Sequence, residues 1–388
     1  MSGPLIGALE SKDSARLNAL LSPILKADLG PIRLEQTAGE RFTGGKSTPV
    51  WKLFFTATRG DKSKETQLVA KWVQPSTEFR KLSYANERQF YFSAAPLARK
   101  SCRLPHLLLS EIESSSACFL MDDLTVDFAL HPEAFGEDEA HAALRWLAHF
   151  HACFWEADSA GGCFPAGMFP SGDYWGLSRG DNEDRLQGVP NSLFASSKVL
   201  KSCGVWDTVR ALGARLAAAA RPLDLVLRGS KASRGFVKHR TLLHGDFKPA
   251  NTFLRECAPG KFEAAAVDFE FAGPGLVAVD LANLLFPDLR MNLLEQETDL
   301  LRFYHGALQE RLDELGKGDD FSFELLGIHY AAARCDYMRY MLGRGWTACS
   351  ASDATILIAV DRDLRRVDDG ETLTPEEYEQ KLLSLFRS

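Results

Sequence analysis

The chain has 388 residues, 45% of them hydrophobic and 25% charged, an ordinary globular composition with enough length to bury a substantial core. Its formal net charge of -7 argues against nucleic acid as a main partner, because phosphate binding favours a basic surface. No run of about 18 uncharged apolar residues occurs, so no membrane span is expected, and nothing marks an obligate protein partner. The eight cysteines include no CxxC pair, which argues against a zinc ribbon or a thioredoxin-like site and suits reduced thiols of a cytoplasmic protein. The first twenty residues hold Glu10, Lys12 and Asp13 and lack a basic start followed by an apolar run, so no secretory leader is expected.

Apolar spacing predicts a helix from about 4 to 28, then strands over 32–36, 50–58 and 67–73 separated by Gly- and Lys-rich turns. A helix over 78–95 and strands over 107–110 and 117–121 complete a small antiparallel sheet crossed by one long helix. The remainder reads as mainly helical, with an amphipathic helix over 141–155 and further helices near 205–220, 292–315, 322–342 and 352–366. Between them, 159–191 is rich in Gly, Pro and Ser and reads as a long loop with little regular structure. A last helix opens on a capping box, with Thr374 as N-cap, Pro375 at the first helical position and Glu377 three residues on. The fold class is therefore α+β, with a first part at 1–121, a short connection at 122–126 and a helical part at 127–388.

The strongest chemical signal is His244-Gly245-Asp246-Phe247-Lys248-Pro249-Ala250-Asn251. An Asp followed five residues later by an Asn is the spacing of a phosphoryl-transfer loop, in which the Asp takes or orients the proton of the attacking hydroxyl and the Asn carbonyl binds a metal ion. Some twenty residues on, the apolar run before Asp268 delivers a carboxylate suited to Mg²⁺, and Glu270 shares its face of an extended strand. Asp280, opening an apolar helix, reads as a brace for the turn before it. Upstream, Lys71 interrupts an apolar strand and needs a partner, since burying its charge alone is costly; Glu87 on the following helix is the natural one and Glu78 its rival. Lys71 would then reach nucleotide phosphates.

Thr43-Gly44-Gly45-Lys46-Ser47-Thr48 is not a P-loop, because position 40 is Glu and a strand pattern follows where a helix is required. Gly44, Gly45, Lys46 and Ser47 fit a hairpin tip covering phosphates, or a plain β-turn. Trp155, Asp173, Tyr174 and Trp175, with Asp336 downstream, combine aromatic faces with carboxylates and would suit a cationic or flat apolar acceptor; aromatic packing between helices is the competing reading.

Taken together, Lys71, Asn86-Glu87-x-x-Phe90-Tyr91, Leu120-Met121-Asp122-Asp123-Leu124, Leu147-Ala148-x-x-His151-Ala152, the loop from His244 to Asn251 and Asp268-Phe269-Glu270 resemble the aminoglycoside phosphotransferase and choline kinase-like group of the protein-kinase-like fold. The resemblance implies a bilobal fold, ATP (sometimes GTP) as donor, Mg²⁺, and a small-molecule hydroxyl as acceptor, with the backbone of Asp122, Asp123 and Leu124 meeting the adenine. Two departures stand out. Lys248 resembles the lysine that steadies the transferred group in Ser/Thr protein kinases, and Gly245 stands where choline kinases usually carry Asn. An inactive nucleotide-binding scaffold and an atypical protein kinase remain alternatives, separable by ATP turnover and by transfer to a protein mixture.

Overall fold

The computed structural model describes residues 3–37, 50–158, 163–229, 238–288, 296–318 and 320–387. The chain divides into two compact units, one formed by Met1–Ala143 with Pro249–Glu270 and the other by Leu144–Lys248 with Phe271–Ser388. This division does not coincide with the expected break after 121: the loop at 249–270 groups with the N-terminal residues. The class is α+β, as the residue patterns indicate.

The first unit opens on two helices rather than one, α1 (Pro4–Glu10) and α2 (Ser14–Leu25). The break has a local cause. Lys12 adopts a left-handed conformation, and the Asp13 carboxylate accepts a hydrogen bond from Arg16 N at 3.0 Å, capping the second helix. Asp28, expected to end that helix, instead opens strand β1 (Asp28–Leu29). Then come β2 (Arg33–Thr37), β3 (Val50–Arg59) and β4 (Lys62–Val73), helices α3 (Glu78–Ser93) and α4 (Ala95–Ala98), and strands β5 (Leu107–Ile112) and β6 (Ala117–Asp122). The antiparallel sheet runs β1-β3-β4-β6-β5, with β2 added on β3.

Strand alternation sorts this sheet into two faces. Trp51, Leu53, Phe55, Leu68, Ala70 and Leu120 pack with Leu5, Ile6, Leu9, Leu17 and Leu21 of α1 and α2 in one core. The register pairs Lys71 with Val50 and Phe119, and Val69 with Lys52 and Met121, so those side chains share the opposite face. Burial of the first face thereby commits Lys71 to the second, because a one-residue slip would reverse both.

Helix α5 (Glu137–Cys153) begins in the first unit and ends in the second. The second unit is mainly helical: α6 (Val189–Ala195), α7 (Ser197–Ser202), α8 (Trp206–Val209) and α9 (Leu212–Arg228) precede strand β7 (Arg240–Leu243). The hairpin of β8 (Thr252–Ala258) and β9 (Lys261–Ala266) returns to the first unit. Strand β10 (Gly273–Leu276) pairs with β7, and α10 (Ala278–Asp288), α11 (Glu297–Glu314), α12 (Phe323–Gly343), α13 (Ala351–Asp368) and α14 (Pro375–Phe386) follow. The capping box at Thr374 forms as the sequence indicates, with both reciprocal hydrogen bonds present. The described part of the stretch expected to be a long loop has little regular structure before Asp184, yet it is packed: Ser171, Asp173 and Trp175 are buried, and α6 begins at Val189. No helix among the described residues is long and apolar enough to cross a membrane.

Candidate active site

In the first unit, Lys71 Nζ lies 2.8 Å from Glu87 Oε2, 2.7 Å from Asp268 Oδ1 and 3.3 Å from Glu270 Oε1. Glu87, not Glu78, is therefore the lysine's partner; Glu78 pairs with Lys81 on the helix surface. Burial alone would lower the Lys71 ammonium, and the carboxylates of Asp268, Glu87 and Glu270 overcome it, holding the group well above the usual lysine range. Burial pushes the Glu87 carboxyl up while Lys71 draws it down, and burial prevails. Oε1 of Glu87 is buried with no hydrogen-bond partner among the described residues.

Local structure fixes the acidic strand end. Asp268 sits at φ 69°, in the left-handed region, where the following Phe269 ring turns inward to stack on Phe90 at 3.9 Å and meet Tyr91 edge-on at 5.9 Å. Glu270 is held by three side chains of α3: Arg80 donates to Oε2 at 2.8 Å, Ser83 to the same oxygen at 3.0 Å, and Asn86 to the backbone carbonyl at 3.0 Å. These three, spaced three residues apart on one helix face, were not foreseen, although that spacing was the available signal. Asn251 is fully buried beside this segment. Its backbone carbonyl accepts from Val267 N at 3.0 Å, one step beyond the Thr252–Ala266 pair of the β8–β9 hairpin.

The expected adenine-meeting residues have their side chains tied down. Asp122 Oδ2 accepts from Arg103 at 2.8 Å. Asp123 Oδ1 accepts from Thr125 N at 2.9 Å and Oδ2 lies 3.0 Å from Lys52 Nζ, while Leu124 is buried. Gly44, Gly45, Lys46 and Ser47 lie outside the described residues.

In the second unit, the turn from His244 to Lys248 is built on Asp280. His244 N and Gly245 N donate to its two oxygens at 2.7 and 2.9 Å, so Asp280 braces this turn and not the 273–275 stretch before it, which belongs to β10. His151 Nε2 faces Asp280 Oδ2 at 3.1 Å, and its Nδ1 takes the Tyr304 hydroxyl at 2.7 Å. Phe247 stacks on Trp146 at 5.3 Å, pinning the turn from below. Lys248 Nζ grips both oxygens of Asp246, at 2.8 and 2.7 Å. Asn283, on α10, donates to Asp246 Oδ1 at 3.4 Å and to Phe247 O at 3.3 Å. Sequence reading missed Asn283; its place three residues after Asp280, on the same helix face, was the signal.

Gly245 explains itself here. It adopts φ 85°, and a Cβ would fall 2.1 Å from Phe271 O and 2.8 Å from Asp173 N. Backbone cannot retreat as a side-chain tip can, so no Asn fits where choline kinases usually carry one. Gly245→Ala is expected to cost about 2–4 kcal/mol from left-handed strain plus overpacking, read as a lowered midpoint in urea unfolding.

Of the five residues expected to meet the acceptor, four are enclosed. Trp155 is buried against Phe321 at 5.3 Å. Trp175 is fully buried, edge-on to Tyr337 at 5.0 Å. Asp173 Oδ2 is 2.5 Å from Arg228 Nε, and its Oδ1 accepts from Trp175 N and Gly176 N at 2.8 and 2.6 Å. Asp336 pairs with Arg228 at 2.7 Å and with Arg339 at 2.7 Å. Both carboxylates are fully buried, so their charge answers to arginines inside the unit and is not presented to a ligand. Only Tyr174 is half-buried, near Asn283 and Lys248.

The profile of the phosphotransferase enzyme family matches residues 77–315, more than half of the chain. The chain belongs to this family. The matched span of this phosphotransferase-family chain includes Glu87, the loop from His244 to Asn251, Asp268 and Glu270, and begins after Lys71. No curated protein matches by sequence. Among solved structures, a microcompartment-associated aminopropanol kinase is 14% identical over 95% of this chain and 99% of that one, with a TM-score of 0.49. An aminoglycoside phosphotransferase from Alicyclobacillus acidocaldarius is 15% identical over 91% of both chains, with a TM-score of 0.43. A choline/ethanolamine kinase family protein from Mesorhizobium loti is 18% identical over 97% of this chain and 99% of that one, with a TM-score of 0.40. Membership rests on the matched residues and not on these likenesses.

Proposed function

We propose that the chain transfers the γ-phosphoryl group of ATP to a hydroxyl of a small molecule. The observation that carries this reading is the Lys71 ammonium held at once by Glu87 and Asp268 in a member of a phosphotransferase family. A strand lysine so fixed is ready to neutralise nucleotide phosphates, and Asp268 would exchange it for a metal ion when phosphates arrive. The donor set supports Mg²⁺: carboxylate oxygens of Glu87, Asp268 and Glu270 lie within 4.8 Å of one another, and hard oxygen donors suit that ion. Asn251 and Asp268 would hold it, with Glu270 beside them. Mg²⁺, when bound, supplies charge neutralisation on the phosphates.

Asp246 accepts the proton of the acceptor hydroxyl as its oxygen bonds to the γ-phosphorus, and the bond from that phosphorus to the bridging oxygen breaks to release ADP. Lys248 moves from the Asp246 carboxylate to the charge on the transferred group. The backbone of Asp122, Asp123 and Leu124 meets the adenine, and Gly44, Gly45, Lys46 and Ser47 cover the phosphates. Tyr174 is the acceptor-facing residue retained from the sequence reading. ADP release measured over a panel of amino sugars, aminoalcohols, polyols and steroid alcohols tests the reading. At least one acceptor is expected to raise ADP formation well above the rate with water; a rate unchanged by every member argues for a binding protein instead.

A further inference from the structure

Asn283 is 2% exposed and touches three groups of known hydrogen-bonding character. Phe247 O and the Asp246 carboxylate only accept, so the amide nitrogen must face them, at 3.3 and 3.4 Å. The amide oxygen then faces Tyr174, whose hydroxyl donates to it at 3.1 Å. A phenol has one proton. With that proton given to Asn283, the Tyr174 oxygen is left to accept from the Tyr337 hydroxyl 3.2 Å away. Every hydrogen in the series therefore points the same way, from Tyr337 through Tyr174 and Asn283 to Asp246. Such a series strengthens each of its members.

We propose that Asn283, oriented by Tyr174 and Tyr337, is a positioning residue that fixes the Asp246 carboxylate for proton acceptance. The inference rests on the reading of Asp246 as the base. Lys248 also binds that carboxylate, but its ammonium rotates on a flexible stem and is needed at the phosphoryl group. Asn283 is anchored in α10, the helix whose Asp280 braces the same turn, so it keeps hold of Asp246 Oδ1 when Lys248 departs. The same chain of bonds passes through Tyr174, the half-buried residue facing the acceptor, so acceptor contact and base orientation share one element.

Asn283→Ala, Tyr174→Phe and the double variant, each checked for folding by circular dichroism, are compared with the unaltered chain and with Asp246→Asn. ADP formation from Mg²⁺-ATP is followed with the fastest acceptor of the panel, or with water where none is faster. Asn283→Ala is expected to lower kcat roughly 10- to 100-fold with KM for ATP within about twofold, as misorientation without lost nucleotide binding does. Tyr174→Phe lowers kcat less, and the double variant is no slower than Asn283→Ala, because both act through one carboxylate. Wild-type kcat in Asn283→Ala, or single effects that multiply in the double variant, overturns the inference. If Asn283→Ala does not fold, a Tyr174→Phe rate equal to wild type overturns it, and a lowered kcat at unchanged KM for ATP supports it. Full turnover in Asp246→Asn overturns the base assignment and the inference with it. An inactive Asp246→Asn beside an unimpaired Asn283→Ala defeats the inference alone. A chain that forms no ADP under any condition defeats both.

Discussion

Asp246→Ala is expected to abolish ADP formation, lowering kcat by at least about a thousandfold while leaving the unfolding midpoint near that of the wild type. The side chain makes no part of the core: its carboxylate meets Lys248 and Asn283, both polar. The turn is held from other directions, by Asp280 on the His244 and Gly245 amides and by Trp146 against Phe247. Removing the carboxylate therefore takes away the group that receives the proton and little of what shapes the loop. It also leaves the Lys248 ammonium without its closest counter-charge, which draws anionic ligands toward the loop. KM for ATP is accordingly expected to stay level or fall while kcat collapses. A variant with half the wild-type turnover, assayed under saturating ATP, contradicts the assignment.

The largest effect on stability is expected at Arg228. Its guanidinium holds Asp173 at 2.5 Å, Asp336 at 2.7 Å and Asp224 at 3.1 Å, and Asp173 and Asp336 are fully buried. Burial pushes the Asp173 carboxyl up even with Arg228 beside it. Burial works in the same direction on Asp336, but Arg339 and Arg228 outweigh it and hold that carboxyl below the usual range. Arg228→Leu removes the shared counter-charge, leaving the buried Asp173 carboxylate without its paired guanidinium and Asp336 with Arg339 alone. Breaking a buried pair in this way costs about 3–5 kcal/mol. The expected result is a steep loss of denaturant tolerance, or no soluble protein, in Arg228→Leu. A variant whose urea midpoint matches the wild type shows that the ion network carries no net stability. Because Asp173 N also donates to Phe271 O at 3.0 Å, beside the Gly245 turn, partial loosening of this network is expected to reach the catalytic loop.

What could be read from the sequence was what is local or periodic. The five-residue step from Asp246 to Asn251, the Thr374 capping box and the alternation that puts Lys71 opposite the core face all lie within one or two turns of chain. The partnership of Lys71 with Glu87 was also legible, because a lysine inside an apolar strand must find a carboxylate and a helix follows at once. The fate of Asp173 was not. Whether a carboxylate is displayed to a ligand or neutralised inside depends on Arg228 and Arg339, which arrive from α9 and α12. Asp173, Tyr174 and Trp175 are adjacent in sequence, yet only the middle one is half-exposed, a distinction that loop composition does not carry. Asn283 was passed over for a related reason: an amide on an apolar helix acquires meaning only once the loop beneath it is folded.

The most direct test follows phosphorus itself. With Mg²⁺-ATP and the acceptor panel, ³¹P NMR is expected to record loss of the γ signal, growth of ADP, and a new phosphomonoester resonance whose appearance requires both Asp246 and Asp268. Intact ATP after prolonged incubation, or ADP and inorganic phosphate as the only new products with every acceptor, contradicts the account.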